Sequence, residues 1–447
     1  MSSLRRGFDR AACGALLVIA FALGGGCSPA RPKTVLLISI DTLRADRLGA
    51  YRYPRPTTPT LDALAANGVL FENTVAQAPW TVPSHATMLT GLYPHHHGVV
   101  TEHDRLPNDV PTLATILSEA GFLTAAVVQT TWLNEAQGFG RGFSHFQQIP
   151  DDADGGVLVT RAAEGWLRAF AGQPLFLFLH YYDVHSEYRP SPSYRERFTR
   201  PYDGPVNGST LQLQQVRAGS LTLTERDIQQ LSDLYDAEIC QLDDALGKLF
   251  ALLDELGIRD DTLVVVASDH GEEFMEHGGV LHGRTLYEEV LDVPLIMSGP
   301  GVPRGERVGA LAALADVTPT ILARVGITPP GNLDGIDLLA RGRDGRAPQR
   351  RVVAAADHNN TQPDSLRMIR DLDHKLIVDR ISGAEKIFDL AQDPGEKIDL
   401  AAQKPAWAVP LRAELAAYLA SSRKAPQRAA RPEEEIERLR ALGYFEN

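Results

Sequence analysis

The chain has 447 residues, 44% of them hydrophobic and 23% charged, which suits one large α/β domain with a smaller one attached. Its net charge of −13 excludes nucleic acid as the main partner, because a protein that tracks a phosphate backbone needs a basic face. An anionic substrate stays open, since a bound metal ion reverses the local field.

Residues 1–27 are expected to be a targeting segment rather than fold. Arg5, Arg6 and Arg10 lead an apolar, Gly-rich run that ends at Cys27, too short for a comfortable transmembrane helix. The pattern fits a bacterial lipoprotein leader, with an uncleaved signal anchor as the alternative. Either one exports the domain to the periplasmic or cell-surface side and tethers it to a membrane only there. Past the leader Cys240 is the single cysteine, so no internal disulfide is expected; it falls on the apolar side of a helical pattern.

After a short linker, apolar runs alternate with helical patterns. "TVLLISID" (34–41), "LTAAVV" (123–128), "PLFLFLHYYD" (174–183), "TLVVVASD" (262–269) and "VPLIMSG" (293–299) predict strands. Their near-continuous apolar character suits a mostly parallel central sheet buried on both faces by helices. "TPTLDALAANG" and "VPTLATILSEAG" predict helices that stop at glycine. A longer helix spans about 222–256, with "TLTE" as its capping box, and 186–221 reads as a long surface loop. The catalytic domain is expected over 34–330. From 331 to 447 the texture changes to the short strands "APQRRVVAAAD", "HKLIVDR" and "EKIFDL" and a charged closing helix, "PEEEIERLRALGYF", which predict a small α+β subdomain.

Three predicted strands end in metal-ligand residue types: Asp41 on the first, His180, Asp183 and His185 on the third, Asp269 and His270 on the fourth. Open α/β sheets gather ligands outside the carboxyl ends of their strands, so these side chains should share one pocket. Each alone is unremarkable, because an Asp after a strand is commonly a helix cap. Thr81 joins them through "APWTVPSHATMLTG" (78–91), where Pro79 and Trp80 favour an extended approach and Pro83 suits the first turn of a helix. Its hydroxyl then sits at a helix N-terminus, which favours an anion. A divalent metal would lower the hydroxyl pKa and hold the substrate oxyanion, so Asp41, Thr81, Asp269 and His270 make a candidate metal site with an activated nucleophile. The plainer reading of Thr81 is a helix cap. His282, twelve residues past His270, has two readings. It binds a second metal with Asp183 and His185, or it protonates the leaving oxygen. His277 is a weaker candidate, and "HHH" (95–97) reads as structural.

Nearly the whole mature chain resembles the sulfatase branch of the alkaline phosphatase superfamily. The resemblance is carried in order by "LLISIDTLRADRLG", "WTVPSHATMLTGLYPHHHGV", "FLHYYDVHSEY", "TLVVVASDHGEEF" and "LYEEVLDVPLIMSGPG". It implies an alkaline-phosphatase-like α/β sandwich. The departures concern activity: Thr81 stands where sulfatases carry the cysteine or serine that becomes formylglycine, and His85 replaces the signature arginine. Asp41-Thr42 replaces a paired Asp-Asp, Asp269-His270 replaces Asp-Asn, and the family's Lys-x-His segment is not evident. Together these resemble the threonine-nucleophile phosphodiesterases and phosphoethanolamine transferases of the superfamily. His85, His185 and His282 are candidate catalytic residues beside Thr81. Zinc or manganese is favoured as the cofactor, with calcium or magnesium as alternatives. The expected activity is hydrolysis of a phosphate ester, a diester foremost, through a covalent Thr81 intermediate. The alternatives are a sulfuric ester hydrolase without formylglycine, a phosphoryl transferase, and a binding protein that has lost catalysis.

Overall fold

The computed structural model describes residues 31–101, 103–150, 155–340, 350–357, 366–421 and 427–428. Eight strands form the central sheet: β1 (Thr34–Ile40), β2 (Val69–Val75), β3 (Leu123–Val128), β4 (His145–Gln148), β5 (Leu175–Tyr181), β6 (Thr262–Ser268), β7 (Leu295–Ser298) and β8 (Glu306–Ala313). Their order is β8-β2-β7-β6-β1-β5-β3-β4. All pairs are parallel except those made by β7, which runs against both β2 and β6. The α/β class and the mostly parallel sheet expected from the sequence are therefore present. The sequence reading missed β2, β4 and β8, whose mixed "VLFENTV", "HFQQ" and "ERVGALAA" lack the unbroken apolar run of a central strand.

Strand β1 shows why a central strand is apolar throughout. Val35 and Leu37 enter a core on one face, and Leu36, Ile38 and Ile40 enter the core on the other. Helix α1 (Thr81–Thr90) covers the first face through Val82, Ala86, Met88 and Leu89. Helix α2 (Glu225–Glu255) covers the second through Leu231, Tyr235, Ile239, Leu242, Leu246 and Leu249, spaced three or four apart. The capping box of α2 is Thr224 with Asp227, not the "TLTE" box expected two residues earlier, because Asp227 returns the bond to the Thr224 backbone. The stretch 186–221 is more ordered than a surface loop. Pro192 starts the helix Pro192–Phe198, and the Ser209 hydroxyl caps Thr210–Arg217.

Val352–Ala356, Leu366–Arg370, His374–Asp379 and Glu385–Asp389 form a four-stranded antiparallel sheet, with the helix Ala408–Ala420 beside it. Its Val352, Ala354, Met368 and Leu376 continue the core under α1, so this sheet shares the main core rather than owning one. The closing helix expected at 432–445 and the leader at 1–27 lie outside the described residues. Among the described residues no helix is long and apolar enough to cross a membrane.

One buried charge cluster ties the small sheet to the short helix Glu288–Leu291 that precedes β7. Lys375 is fully buried and reaches Glu288 and Glu396, each at 2.8 Å, and Arg370 also pairs with Glu288. Removing one partner of such a group leaves buried carboxylates facing each other. Lys375→Met is expected to lower stability by about 3–5 kcal/mol, read as a loss in the urea midpoint at unchanged slope. A shift worth under about 1 kcal/mol would show the cluster to be dispensable.

Candidate active site

The sheet register builds the site. Strand β1 lies between β5 and β6, with Ser39 level with His180 and Ala267, and Ile40 level with Tyr181 and Ser268. The next residues off β1 and β6 are Asp41 and Asp269, and the Asp41 N–H donates to the Tyr181 carbonyl at 2.9 Å. Three adjacent carboxyl ends thus converge, as expected for an open α/β sheet. Helix α1 adds Thr81 from the first face. Thr81 is its first residue, preceded by an extended Trp80 with φ −163° and ψ 165°. Pro83 thus falls in the first turn of the helix, as expected from the sequence.

Thr81 Oγ1 donates to Asp41 Oδ2 at 3.5 Å. Asp41, Asp269 and His270 offer ligand atoms that all lie within 4.8 Å of one another. Asp269 Oδ1 accepts the backbone N–H groups of Thr42 and His270, which leaves Oδ2 to face the centre. His270 Nδ1 lies 3.0 Å from the Gly271 carbonyl, so that nitrogen carries the proton and Nε2 presents a lone pair. This lone pair points at oxygen: Nε2 is 3.3 Å from Asp269 Oδ2 and 3.5 Å from Asp41 Oδ1. Among the described residues Asp41 Oδ1, Asp269 Oδ2 and His270 Nε2 have no hydrogen-bond partner. Three buried acceptors aimed at one point repel each other unless a cation lies between them, and two carboxylates with an imidazole suit a divalent metal. The residues therefore fit the expected metal.

The electrostatics agree. Burial, and then the charge of Glu272, pushes the Asp41 carboxyl well above its ordinary range; burial, and then Asp41, does the same to Asp269. Burial holds the His270 imidazole well below its ordinary value, which keeps it neutral and able to ligate.

The mouth of the site is made by the few members with any exposure. Asp41, Asp269, His270, His85 and His180 are fully buried, whereas Thr81 is 4% exposed, His185 6% and His282 8%. The His282 ring lies tilted against the His270 ring at 4.4 Å and meets the His185 ring edge-on at 5.0 Å. Its Nδ1 lies 3.0 Å from Glu272 Oε1, while the Tyr188 hydroxyl donates to Glu272 Oε2 at 3.0 Å. Arg217, from the ordered part of 186–221, donates to the His282 carbonyl at 2.8 Å. Burial raises the Glu272 carboxyl to about 7, and burial with Arg217 lowers His282 to about 3.

Other candidates from the sequence land differently. Of the expected second ligand set, His185 and His282 meet ring to ring, but among the described residues Asp183 does not join them in a metal-holding group. The Asp183 carboxylate packs over Gly156, where a Cβ would stand 2.3 Å from its oxygen, and His185 Nδ1 donates to the Ser186 carbonyl at 2.6 Å. His85 does not open onto the mouth. It sits beneath Thr81, with Nδ1 donating to the Thr81 carbonyl at 2.8 Å and Nε2 accepting from the Ser39 hydroxyl at 2.9 Å. Thr42, at the family's second carboxylate position, donates its hydroxyl to the Val184 carbonyl at 2.9 Å. His277 stacks at 3.6 Å on Tyr287 and bonds Glu289 at 2.6 Å. In the triple histidine, His97 bonds Thr87 at 3.0 Å and His96 bonds Asp334 at 2.8 Å, both outside the site. The sequence reading missed Glu272, Tyr188 and Arg217. Glu272 follows directly on "DHG", but Tyr188 and Arg217 gave no signal without the tertiary fold.

Comparison with known proteins follows the same lines. The family model described as Sulfatase matches residues 33–327. The multifunctional alkaline phosphatase superfamily protein PehA of Trinickia caryophylli is 27% identical, over 85% of this chain and 93% of its own. Arylsulfatase K of Xenopus laevis is 26% identical over 85% and 81%. Among solved structures, a 2-O GAG sulfatase superposes with a TM-score of 0.74 at 23% identity, covering 91% of this chain and 96% of its own. A phosphonate monoester hydrolase from Silicibacter pomeroyi does so with a TM-score of 0.71 at 25% identity, covering 87% and 94%. From its strand-end carboxylates to the turn that carries Thr81, the chain belongs to the sulfatase family of the alkaline phosphatase superfamily, metal-dependent hydrolases acting on ester bonds.

Proposed function

We propose that the protein hydrolyses a phosphate ester, foremost a diester, with Thr81 as the nucleophile. The observation that carries this is the Thr81 hydroxyl at the first residue of α1, 3.5 Å from Asp41, where no cysteine or serine is present to become formylglycine. Asp41, Asp269 and His270 hold the divalent cation, zinc or manganese before calcium because of the imidazole donor. When bound, the cation polarises the phosphoryl oxygen and lowers the pKa of the Thr81 hydroxyl.

The chain's own groups then move protons and bonds. Thr81 Oγ1 attacks phosphorus and passes its proton to Asp41. The bond from phosphorus to the leaving oxygen breaks, and that oxygen keeps the electron pair and takes the Nε2 proton of neutral His282, while Glu272, whose carboxyl burial raises to about 7, passes its own proton to Nδ1. Water next attacks phosphorus and gives a proton back to His282. The bond from phosphorus to Thr81 breaks, and Oγ1 recovers its proton from Asp41. One diester and one water yield one alcohol and one monoester. Glu272, fixed by Tyr188, donates to His282 Nδ1 and so turns Nε2–H toward the leaving group; it recovers its proton from Nδ1 when water restores the one on Nε2. We carry the N-terminal tether as part of this reading: the substrate is met outside the cytoplasm.

The relatives support two substrate classes. The phosphonate monoester hydrolase supports a phosphorus ester, whereas arylsulfatase K supports a sulfate ester. A panel of aryl phosphodiester, aryl phosphate, phosphonate monoester and aryl sulfate, run with zinc, manganese and calcium, separates them. We expect phosphodiester or phosphonate turnover to exceed sulfate turnover at least tenfold. Sulfate turned over faster than every phosphorus ester would establish the second reading.

A further inference from the structure

We propose that His180 is a ligand of the metal centre and supplies the donor that the first motif lacks. The proposal rests on the reading that Asp41, Asp269 and His270 hold a cation, and does not depend on Thr81 as nucleophile. His180 belongs to β5, level with Ser39 of β1, and is fully buried. Among the described residues neither of its ring nitrogens has a hydrogen-bond partner. Its Nε2 lies 3.4 Å from Asp41 Oδ2, and its ligand atom falls within 4.8 Å of those of Asp269 and His85. A buried imidazole with no partner in a packed core is costly. Here it is aimed at the two carboxylates that already face the centre.

Two alternatives for this position are occupied by other bonds. Thr42, where the family has a second carboxylate, gives its hydroxyl to the Val184 carbonyl. His85 is the other imidazole near Asp269, but its Nδ1 serves the Thr81 carbonyl and its Nε2 the Ser39 hydroxyl. His180 alone of the three keeps a lone pair for a cation, and burial lowers it to about 3, which leaves it neutral. Adding His180 to His270 gives two imidazoles against two carboxylates. That donor set prefers zinc or manganese to calcium, which takes oxygen ligands.

The test is to load the exported domain with manganese or zinc and count coordinated imidazoles. Electron spin-echo spectroscopy reads this for manganese, and X-ray absorption for zinc. The wild type should show two imidazoles, and His180→Gln and His270→Gln one each, while His85→Gln keeps two. Zinc affinity, from chelator competition, should fall by about 100-fold in His180→Gln with calcium affinity within about threefold. His180→Asn, with far-ultraviolet circular dichroism on both variants, guards against misfolding. Two imidazoles retained in folded His180→Gln or His180→Asn would overturn the assignment, as would a count that drops in His85→Gln instead. A wild type with one imidazole sinks His180 alone, whereas a wild type that binds no metal sinks the metal reading as well.

Discussion

Replacing Thr81 by alanine is expected to lower kcat by at least about 10⁴-fold, with the fold and the bound metal kept. The size follows from what nucleophile removal costs when the rest of a site stays in place. The fold should hold because, among the described residues, the Thr81 hydroxyl makes a single hydrogen bond, at 3.5 Å, and does not cap α1. The packing of the turn lies elsewhere: Ser84 bonds the Ala78 carbonyl and His85 bonds the Thr81 carbonyl, neither of which uses the lost atom. Metal should remain because Asp41, Asp269 and His270 are untouched. Thr81→Ser keeps a hydroxyl and should retain activity within about tenfold, since only a methyl is lost. Quenched-flow trapping adds a direct readout, with phosphorus-labelled substrate leaving label on the wild-type chain and none on the alanine variant. Turnover in Thr81→Ala within tenfold of wild type would show that water attacks directly and that the threonine only supports the helix start.

How far the site was visible in the sequence depends on the distance over which each contact is specified. Asp41, Asp269 and His270 could be placed because a strand end is a local event. The apolar run stops, the chain turns, and the sheet then aligns the stops. Thr81 was visible for a similar reason, through the proline and tryptophan around it. The second ligand set was misplaced because sequence spacing does not tell which way a loop side chain turns. Asp183 packs over Gly156, although it is only two residues from His185. His180 was on the same strand, but period-two alternation had to be combined with the β1 register to aim it at the site. In the fold, the central strands declared themselves by being apolar on both faces. The edge strands β4 and β8 and the mixed β2 did not, because their solvent-facing positions break the pattern.

His282→Ala is expected to reduce kcat by about 10²–10⁴-fold for an alkyl diester and far less for a nitrophenyl one. The difference is the argument. A general acid matters in proportion to the negative charge on the departing oxygen, and a nitrophenolate leaves without a proton whereas an alkoxide does not. The structure gives His282 the parts for this role. It lies at the mouth, with 8% of its surface exposed, and Glu272 holds its Nδ1 at 3.0 Å, so Nε2 is the nitrogen that remains for the substrate. Arg217 fixes the backbone of the same residue from an element that sequence reading had assigned to loop. A plot of log kcat against leaving-group pKa should therefore be shallow for wild type and steep for His282→Ala. Glu272→Gln should fall between them, because an amide can still meet Nδ1 but cannot pass a proton to it. Parallel lines for wild type and His282→Ala would assign the residue to substrate binding or metal support. Loss of bound metal in His282→Ala would assign the residue to metal support, a role that a carboxylate on Nδ1 also suits.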